Sequence, residues 1–292
     1  MTRRLGRVQT RIWRLAELEG AEFLRGHFSG YAYDVHTHDK ACLALITRGA
    51  IRIRMRGGEF VARAGDLYAI DAEEPHAGWP VDADGWSLRT LYVGVDRLQR
   101  VVREGATLQP SIAGPIIRDP RLVALFADLH DASERANAGL GLESNRQPAF
   151  ADDALAHDER CLAFVARLFA RHMHVVPPTA APGREDDAVR RARAFIDDAV
   201  ECRLRLADIA AAAGLPPYRL FRAFAKTTGM TPHAYQRQAR LRLAAGLIRR
   251  GLPLGEVAVA AGFSDQGHLT RSFRHSMGVT PGAYRDVYRG AA

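Results

Sequence analysis

Gly262-Phe-Ser-Asp-Gln-Gly-His-Leu-Thr-Arg-Ser-Phe-Arg-His-Ser-Met-Gly278-Val-Thr-Pro-Gly-Ala-Tyr-Arg285 lies near the C-terminal end of a 292-residue chain, and an earlier stretch repeats its pattern. Leu206-Ala-Asp-Ile-Ala-Ala-Ala-Ala-Gly214 parallels Leu254-Gly-Glu-Val-Ala-Val-Ala-Ala-Gly262. After a one-residue insertion, Leu220, Arg222 and Phe224 match Leu269, Arg271 and Phe273. Gly229-Met-Thr-Pro-His-Ala-Tyr235 then matches Gly278-Val-Thr-Pro-Gly-Ala-Tyr284. Two copies of one unit are present.

Each copy reads as helix, turn, helix. In the first, Leu206, Ile209, Ala210 and Ala213 form an apolar stripe, and Gly214 ends the helix at a left-handed position that suits glycine. Pro216-Pro217 opens the next helix, where missing N–H groups cost little. In the second copy Gly262-Phe263 makes the turn and Ser264 is expected as the N-cap. Such a unit is a helix-turn-helix, whose second helix enters the DNA major groove. Between the copies, Pro232 to Arg250 reads as one continuous helix, with Ala239, Leu243, Leu247 and Ile248 toward one face. About 18 residues of helix span roughly 27 Å. With the flanking turns, the two recognition helices approach the spacing of one DNA turn, about 34 Å.

The charge follows the same division. The chain carries 41 Lys+Arg against 33 Asp+Glu, a formal +8. From Arg184 onward there are 18 basic and 10 acidic residues, so the first 183 residues are neutral. Residues 206–285 alone hold 11 basic and 3 acidic side chains. A neutral region joined to a basic one suggests a sensor or catalyst attached to a binder of polyanions. All basic residues but Lys40 and Lys226 are Arg, a bias that base composition can produce, so not every Arg is read as functional.

The segment 262–285 closely resembles the signature of AraC/XylS-type transcription regulators, and the resemblance extends over about 190–288. Gly267 and Leu269 depart from it, standing where Ser and Phe are common. Carried over by position, the first recognition helix presents Tyr218, Arg219, Phe221 and Arg222, and the second Gln266, His268, Thr270 and Arg271. The chemistry agrees: Arg pairs with guanine O6/N7, Gln with adenine N6/N7, and Thr or Phe touches a thymine methyl. Lys226, Arg274 and the connector arginines Arg237, Arg240, Arg242, Arg249 and Arg250 read as phosphate contacts, which set affinity but not sequence. Two alternatives stay open: Arg222 and Arg271 as structural or phosphate-bound groups, and Phe221 as a core residue. Leu220, Phe224, Leu269 and Phe273 are assigned to the core. The resemblance implies double-stranded DNA, RNA polymerase and a second copy of the chain as partners, a small-molecule effector, action as an activator, and a cytoplasmic location.

Residues 23–95 read as short strands. Ile51-Arg-Ile-Arg-Met55 alternates apolar and charged residues. Leu43–Thr47 is a second run, ended by a turn at Arg48-Gly49, and Arg56-Gly57-Gly58-Glu59 closes a hairpin. Leu67–Ile70 and Leu88–Val93 follow. Strands with turns this frequent argue for a sandwich or small barrel. From Asp119-Pro120, an N-cap with Pro at the first helical position, the period becomes helical. Leu122, Leu125, Phe126 and Leu129 share a face. A second helix over about 150–172 carries Leu155, Cys161, Leu162, Val165, Leu168 and Phe169. Both helices pack on their own sheet, form a dimer interface, or do both. The expected fold is multidomain α+β: an arm at 1–22, a cupin-like β-barrel with two following helices at 23–174, a Pro-rich linker at 175–184 and an all-α double helix-turn-helix at 185–292. The arm, with Arg3, Arg4, Arg7, Arg11 and Arg14, reads as either a mobile latch or a disordered tail.

His36-Thr-His38, Gly65-Asp66 and Glu74-Pro75-His76 resemble, in order and spacing, the cupin-type ligand-binding domain that many AraC-type regulators carry. The expected ligand-binding residues are His36, His38, His76, Tyr31, Trp79 and Arg89, with Tyr33, Trp86 and Tyr92 nearby. The histidines are open to three readings: hydrogen-bonding groups at the mouth of an organic-ligand pocket, purely structural groups, or metal ligands. Imidazoles suit Zn, Fe, Cu or Ni, but the carboxylate that metal-binding cupins place after HxH is missing from Lys40-Ala-Cys-Leu-Ala44, where only Cys42 offers a ligand. No cofactor is expected. A cupin metalloenzyme fused to a DNA-binding module and a regulator without ligand sensing are the competing functions. Composition excludes several classes. At 47% hydrophobic and 25% charged the chain is not disordered. No run of 18 apolar residues suggests a membrane span. The basic N-terminus lacks the apolar core of a signal peptide. Three scattered cysteines make no disulfide framework and fit a reducing compartment.

Overall fold

A computed structural model describes residues 8–14, 20–94, 110–139, 151–175 and 184–289. The chain divides into two compact units, with the main boundary between Pro177 and Pro178. Residues 33–37 and 75–77 group with the second of them. Residues 176–183 of the linker and Arg3, Arg4 and Arg7 of the arm lie outside the described residues.

The sheet that dominates the first unit has nine strands. Its strands are β1 (Val8–Trp13), β2 (Glu22–Phe28), β3 (Tyr33–His36), β4 (Ala41–Met55), β5 (Gly58–Arg63), β6 (Leu67–Ile70), β7 (His76–Pro80), β8 (Trp86–Val93) and β10 (Ile116–Ile117), while β9 (Pro110–Ile112) pairs separately with β11 (Met173–Val175). The central path runs β1-β2-β8-β4-β6-β10, and β4 also carries β5 and the β3–β7 pair. Two helices follow, α1 (Pro120–Gly139) and α2 (Ala151–His172).

Two differences from the sequence reading have clear causes. The turn expected at Arg48-Gly49 is instead a bulge within the 15-residue β4, where the β4–β8 register shifts between Ile46 and Arg48. Gly49 makes it possible: its φ is 69°, and a Cβ there would lie 2.1 Å from the Gly85 carbonyl oxygen. Val8–Trp13, expected within an arm, is a strand paired along β2, and Trp13 is buried with its indole N–H donating to Ser133 Oγ at 3.1 Å. The hairpin at Arg56-Gly57 is as expected. Both residues have positive φ, the geometry of a two-residue turn that matches strand twist.

Strand alternation sorts the sheet into two faces. Phe23, Leu91, Leu43 and Ala69 sit in register across four neighbouring strands and share one core with Leu122, Phe126, Leu129, Phe164, Val165 and Leu168 of the helices. The helices therefore do pack on their own sheet. Among the described side chains of α2, Leu162 is exposed, at 51%, and the Leu155 side chain lies outside the description. Asp119 caps α1, accepting from the Arg121 and Leu122 N–H groups. Its pairing with Arg167, together with a bond to His172, holds its carboxyl far below the usual range. The opposite face carries the rows Glu22–Tyr92–Cys42–Ile70 and Leu24–Thr90–Ala44–Tyr68.

The second unit comprises α3 (Arg184–Asp198), α4 (Leu206–Ala213), α5 (Pro217–Thr228), α6 (Pro232–Arg249), α7 (Leu254–Ala260), α8 (Gln266–Met277) and α9 (Pro281–Arg289). The two helix-turn-helix units are α4–α5 and α7–α8, joined by α6. Helix α3, which the repeat does not announce, buries Ala188, Val189, Ala192 and Ile196 against Ile209, Ala210, Leu220 and Phe224. Gly214 and Gly262, at φ 67° and 75°, make the two turns. Of the expected stripe on α4, Leu206 is 37% exposed while Ile209, Ala210 and Ala213 are buried. The N-cap of α8 is Asp265, not Ser264. Its carboxylate accepts from the His268 N–H at 2.7 Å, and Ser264 Oγ donates to that same carboxylate. An anionic acceptor outcompetes a hydroxyl at a helix N-terminus.

Candidate functional site

Two surfaces carry candidate chemistry. The first is the outer face of α5 and α8. Leu220 and Phe224 in α5 and Leu269 and Phe273 in α8 are completely buried. Helical spacing then turns the residues between them outward. Tyr218, Arg219, Phe221, Arg222 and Lys226 are all exposed, as are Gln266, Arg271 and Arg274. Phe221 is 40% exposed, which excludes the core reading left open above, and Tyr218 reaches 71%. The Arg222 guanidinium lies 5.9 Å from the Tyr218 ring centroid, so the aromatic ring steadies it.

His268 and Thr270 sit differently. Both are half-buried. The His268 ring meets Phe263 edge-on at 5.2 Å and bonds Ser264 Oγ at 3.2 Å, so it also packs the turn. Thr270 Oγ1 donates to the Gln266 carbonyl at 2.8 Å, one turn back along the helix.

The connector arginines separate into groups. Arg240 Nε donates to the Val200 carbonyl and its Nη2 to the Cys202 carbonyl, each at 2.8 Å. Gln236 Nε2 donates to the same Cys202 carbonyl. Arg240 is thus a clamp on the loop between α3 and α4, a different role from the phosphate contact expected of it. Arg249 Nη1 donates to Tyr284 OH, and Arg242 lies over the Tyr235 ring at 5.4 Å. Arg191, which sequence reasoning passed over, donates to the Ala213 carbonyl at 2.6 Å and closes the end of α4. Arg191 lies in the middle of α3, and nothing in the local sequence marks it for that role.

The second surface is the sheet face away from α1 and α2. His36 ends β3, His38 follows two residues later, and His76 begins the paired strand β7. All three are buried. The His36 and His76 ring centroids are 4.2 Å apart. Burial and the neighbouring His76 hold His36 well below the usual imidazole range, so its ring is neutral at pH 7. His36 Nδ1 lies 2.7 Å from the Asp34 carbonyl and donates to it. Tyr33 stacks on His36 at 5.3 Å and Tyr92 meets His38 edge-on at 5.1 Å. Arg56 fixes the loop before His76, pairing with Glu74 and Asp71, and the Glu73 N–H donates to the His38 carbonyl. Nearby on this face, burial pushes the Cys42 thiol up to about 12 and raises the Tyr68 phenol.

The other expected ligand residues do not join this cluster. Arg89 falls in register with Arg25 and Leu45, on the helix side of the sheet, and pairs with Asp131 at 2.7 Å. Trp79 lies under the Arg54 guanidinium at 5.4 Å. Tyr31 is buried against Phe28. The sequence reading missed the buried Glu22–Lys40 pair, at 2.8 Å, and Tyr68. Both belong to a strand period that could be counted once the β2–β8–β4–β6 order was known.

Residues 20–153 match the family model of the AraC-like ligand binding domain, and residues 209–286 match that of a helix-turn-helix domain. The chain is 24% identical over 236 residues to the HTH-type transcriptional regulator YbfI of Bacillus subtilis, covering 80% of each chain. It is 27% identical over 291 residues to the transcriptional activator NphR of a Rhodococcus species, covering 92% of this chain and 80% of that one. In fold, it is similar to apo ToxT of Vibrio cholerae, with a TM-score of 0.50 at 11% identity over 96% of this chain and 97% of that one. Sheet domain, duplicated helix-turn-helix and both family models agree: the chain belongs to the AraC/XylS family of DNA-binding transcription regulators and carries that family's ligand-binding domain.

Proposed function

We propose that α5 and α8 occupy successive major grooves of one duplex, under the control of a small molecule held by the sheet domain. Arg219, Arg222, Gln266 and Arg271 read base edges. Tyr218 and Phe221 supply apolar contact to thymine methyls, and His268 and Thr270 stand behind them at the second half-site. Lys226 and Arg274 anchor phosphates. The observation that carries this reading is the matched pair of buried residues beneath unmatched exposed ones on two helices joined by a single connector. Such a chain recognises two half-sites of different sequence.

Selection from a random DNA pool tests it. A bipartite site is expected, with half-sites about 10–10.5 base pairs apart, centre to centre. Recovery of a single half-site, or no enrichment, would overturn it.

The division of labour follows the proposed boundaries: an N-terminal segment at 1–22, effector binding and dimerisation at 23–174, a linker at 175–184 and DNA binding at 185–292. The exposed Leu162 on α2 favours a homodimer through that helix. RNA polymerase is the further partner of such an activator, and the cytoplasm is where its DNA lies. In this reading the sheet domain senses and does not catalyse. Among the described residues, no helix is long and apolar enough to cross a membrane.

A further inference from the structure

Each recognition helix carries its matched arginine at the sixth position, Arg222 in α5 and Arg271 in α8. One turn earlier, at the second position, stands Tyr218 in the first helix and Gly267 in the other. We propose that Gly267 is a specificity-determining position of the second half-site, because its missing side chain lets Asp265 position the Arg271 guanidinium for guanine.

The geometry starts from how helical side chains lean. They point toward the helix N-terminus, so each covers the surface one turn before its own Cα. Arg271 therefore reaches back over Gly267. A Cβ on Gly267 would lie 3.2 Å from Arg271 Nη1 and 3.0 Å from Asp265 Oδ1. The guanidinium and the cap carboxylate thus flank the very space that a side chain at 267 would need. The carboxylate is itself fixed: Oδ1 accepts the His268 N–H at 2.7 Å and Oδ2 the Ser264 hydroxyl at 3.0 Å. Those two bonds, and beyond them the Arg271 charge, hold the Asp265 carboxyl below its usual range. Backbone geometry does not ask for glycine here, since Gly267 has no positive φ. In a helix glycine is less favourable than alanine. The open space is what the helix gains in exchange.

The first copy fills the same place. Tyr218 is 71% exposed, and the Arg222 guanidinium lies 5.9 Å from its ring centroid. Pro216 stands at the N-cap, so no carboxylate is at hand there. A ring face attracts a cation without fixing its rotation. A carboxylate acts on one N–H edge of a guanidinium and leaves the other edge for guanine O6 and N7. The N-terminal end of a recognition helix is where base edges are read, and Arg271 is carried to that end. Two arginines that match in the alignment are presented by different means.

The role rests on the reading of α8 as a base-reading helix, and one experiment separates the two. The full chain and its variants each select from one random duplex pool, and base preference is read pair by pair. Arg271→Ala marks the pair that Arg271 reads. Gly267→Ala should lower guanine preference at that pair about tenfold, within the range of one bidentate contact, and leave the other half-site as it is in wild type. In an Arg271→Ala background, Gly267→Ala should change that pair no further, because a residue acting through another loses its effect when the other is gone. Asp265→Asn, which still caps α8, should reproduce the loss, and it decides the matter if circular dichroism shows that Gly267→Ala does not fold. In α5, Tyr218→Leu should lower preference at the Arg222 pair, and Tyr218→Phe, which keeps the ring face, should restore most of it. Unchanged preference at the Arg271 pair in the folded variants, or a Gly267→Ala effect that persists without Arg271, would overturn the role and leave base reading intact. If Arg271→Ala relaxes no base pair, base reading by α8 falls, and the role of Gly267 with it.

Discussion

The two helix-turn-helix copies share a skeleton and differ in skin. Leu220 and Phe224 of the first match Leu269 and Phe273 of the second, and all four are completely buried. Outside, Tyr218 faces Gly267 in the alignment, Arg219 faces His268, and Phe221 faces Thr270; only Arg222 and Arg271 agree. The first copy opens its recognition helix with Pro216-Pro217 and shows two aromatic rings to solvent. The second caps its helix with Asp265 and shows polar groups. Duplication preserves what packing demands and releases what faces a partner, so the same scaffold can read two different half-sites.

The largest expected effect breaks the shared part. Phe224→Ala and Phe273→Ala should each cost about 3–5 kcal/mol, because each leaves a ring-sized cavity in a small helical core. Urea unfolding should give similar losses for the two. A loss below about 1 kcal/mol in one copy would mean that its core collapses around the cavity, and the equivalence would fail.

The turns should separate the copies next. Gly214 and Gly262 both have positive φ, so alanine strains either one. Their surroundings differ. A Cβ on Gly214 would meet only the tip of Arg191 at 3.6 Å, whereas one on Gly262 would lie 2.6 Å from the Glu201 carbonyl oxygen and 3.0 Å from Arg240 Nε. Gly214→Ala should cost about 1 kcal/mol, and Gly262→Ala about 2–3 kcal/mol or more, since backbone cannot step aside. Equal losses would show that the 199–202 loop yields freely.

Base reading comes third. Arg271→Ala should cost about 1–3 kcal/mol on the preferred site and relax preference at one base pair, and Arg222→Ala should do the same in the other half-site. Uniform weakening across all sequences would assign that guanidinium to a phosphate.

Salt dependence gives a finer discrimination. Lys226→Ala and Arg274→Ala should each lower the salt slope of DNA binding by about one unit. Arg240→Ala should leave the slope unchanged, because its guanidinium is engaged by the carbonyls of Val200 and Cys202. A reduced slope for Arg240→Ala would return it to the footprint. The case also qualifies the net charge of +8. Part of that excess holds the domain together and is not presented to DNA.

These residues show how far a sequence can be read. The repeat, both recognition helices, the connector and the core positions Leu220, Phe224, Leu269 and Phe273 were legible because helical period and duplication are local signals. The bulge at Gly49 was not, since a Gly after Arg reads equally as a turn until the pairing with β8 is known. Arg89 was assigned to the ligand site by proximity in sequence, and one position of strand register put it on the other face. Arg240 was assigned by charge alone, and its carbonyl partners lie about forty residues away. The histidines were named together from spacing, but it is the β3–β7 pairing that sets the His36 and His76 rings 4.2 Å apart.

The smallest effect concerns how the copies begin their recognition helices. Asp265 accepts from the His268 N–H, and that bond, together with Ser264, lowers its carboxyl below the usual range. A carboxyl lowered by folding stabilises fully above its unfolded pKa of about 3.9, and the contribution fades as pH falls through the lower folded value. Pro216, at the same place in the first copy, has nothing to titrate. Amide exchange of α8 should therefore accelerate in acid relative to α5, and Asp265→Asn, which still caps, should remove most of that difference at neutral stability close to wild type. Parallel acid behaviour of the two helices would show that the cap is held by the Ser264 network and not by its charge. The distinction would then lie wholly in the exposed side chains.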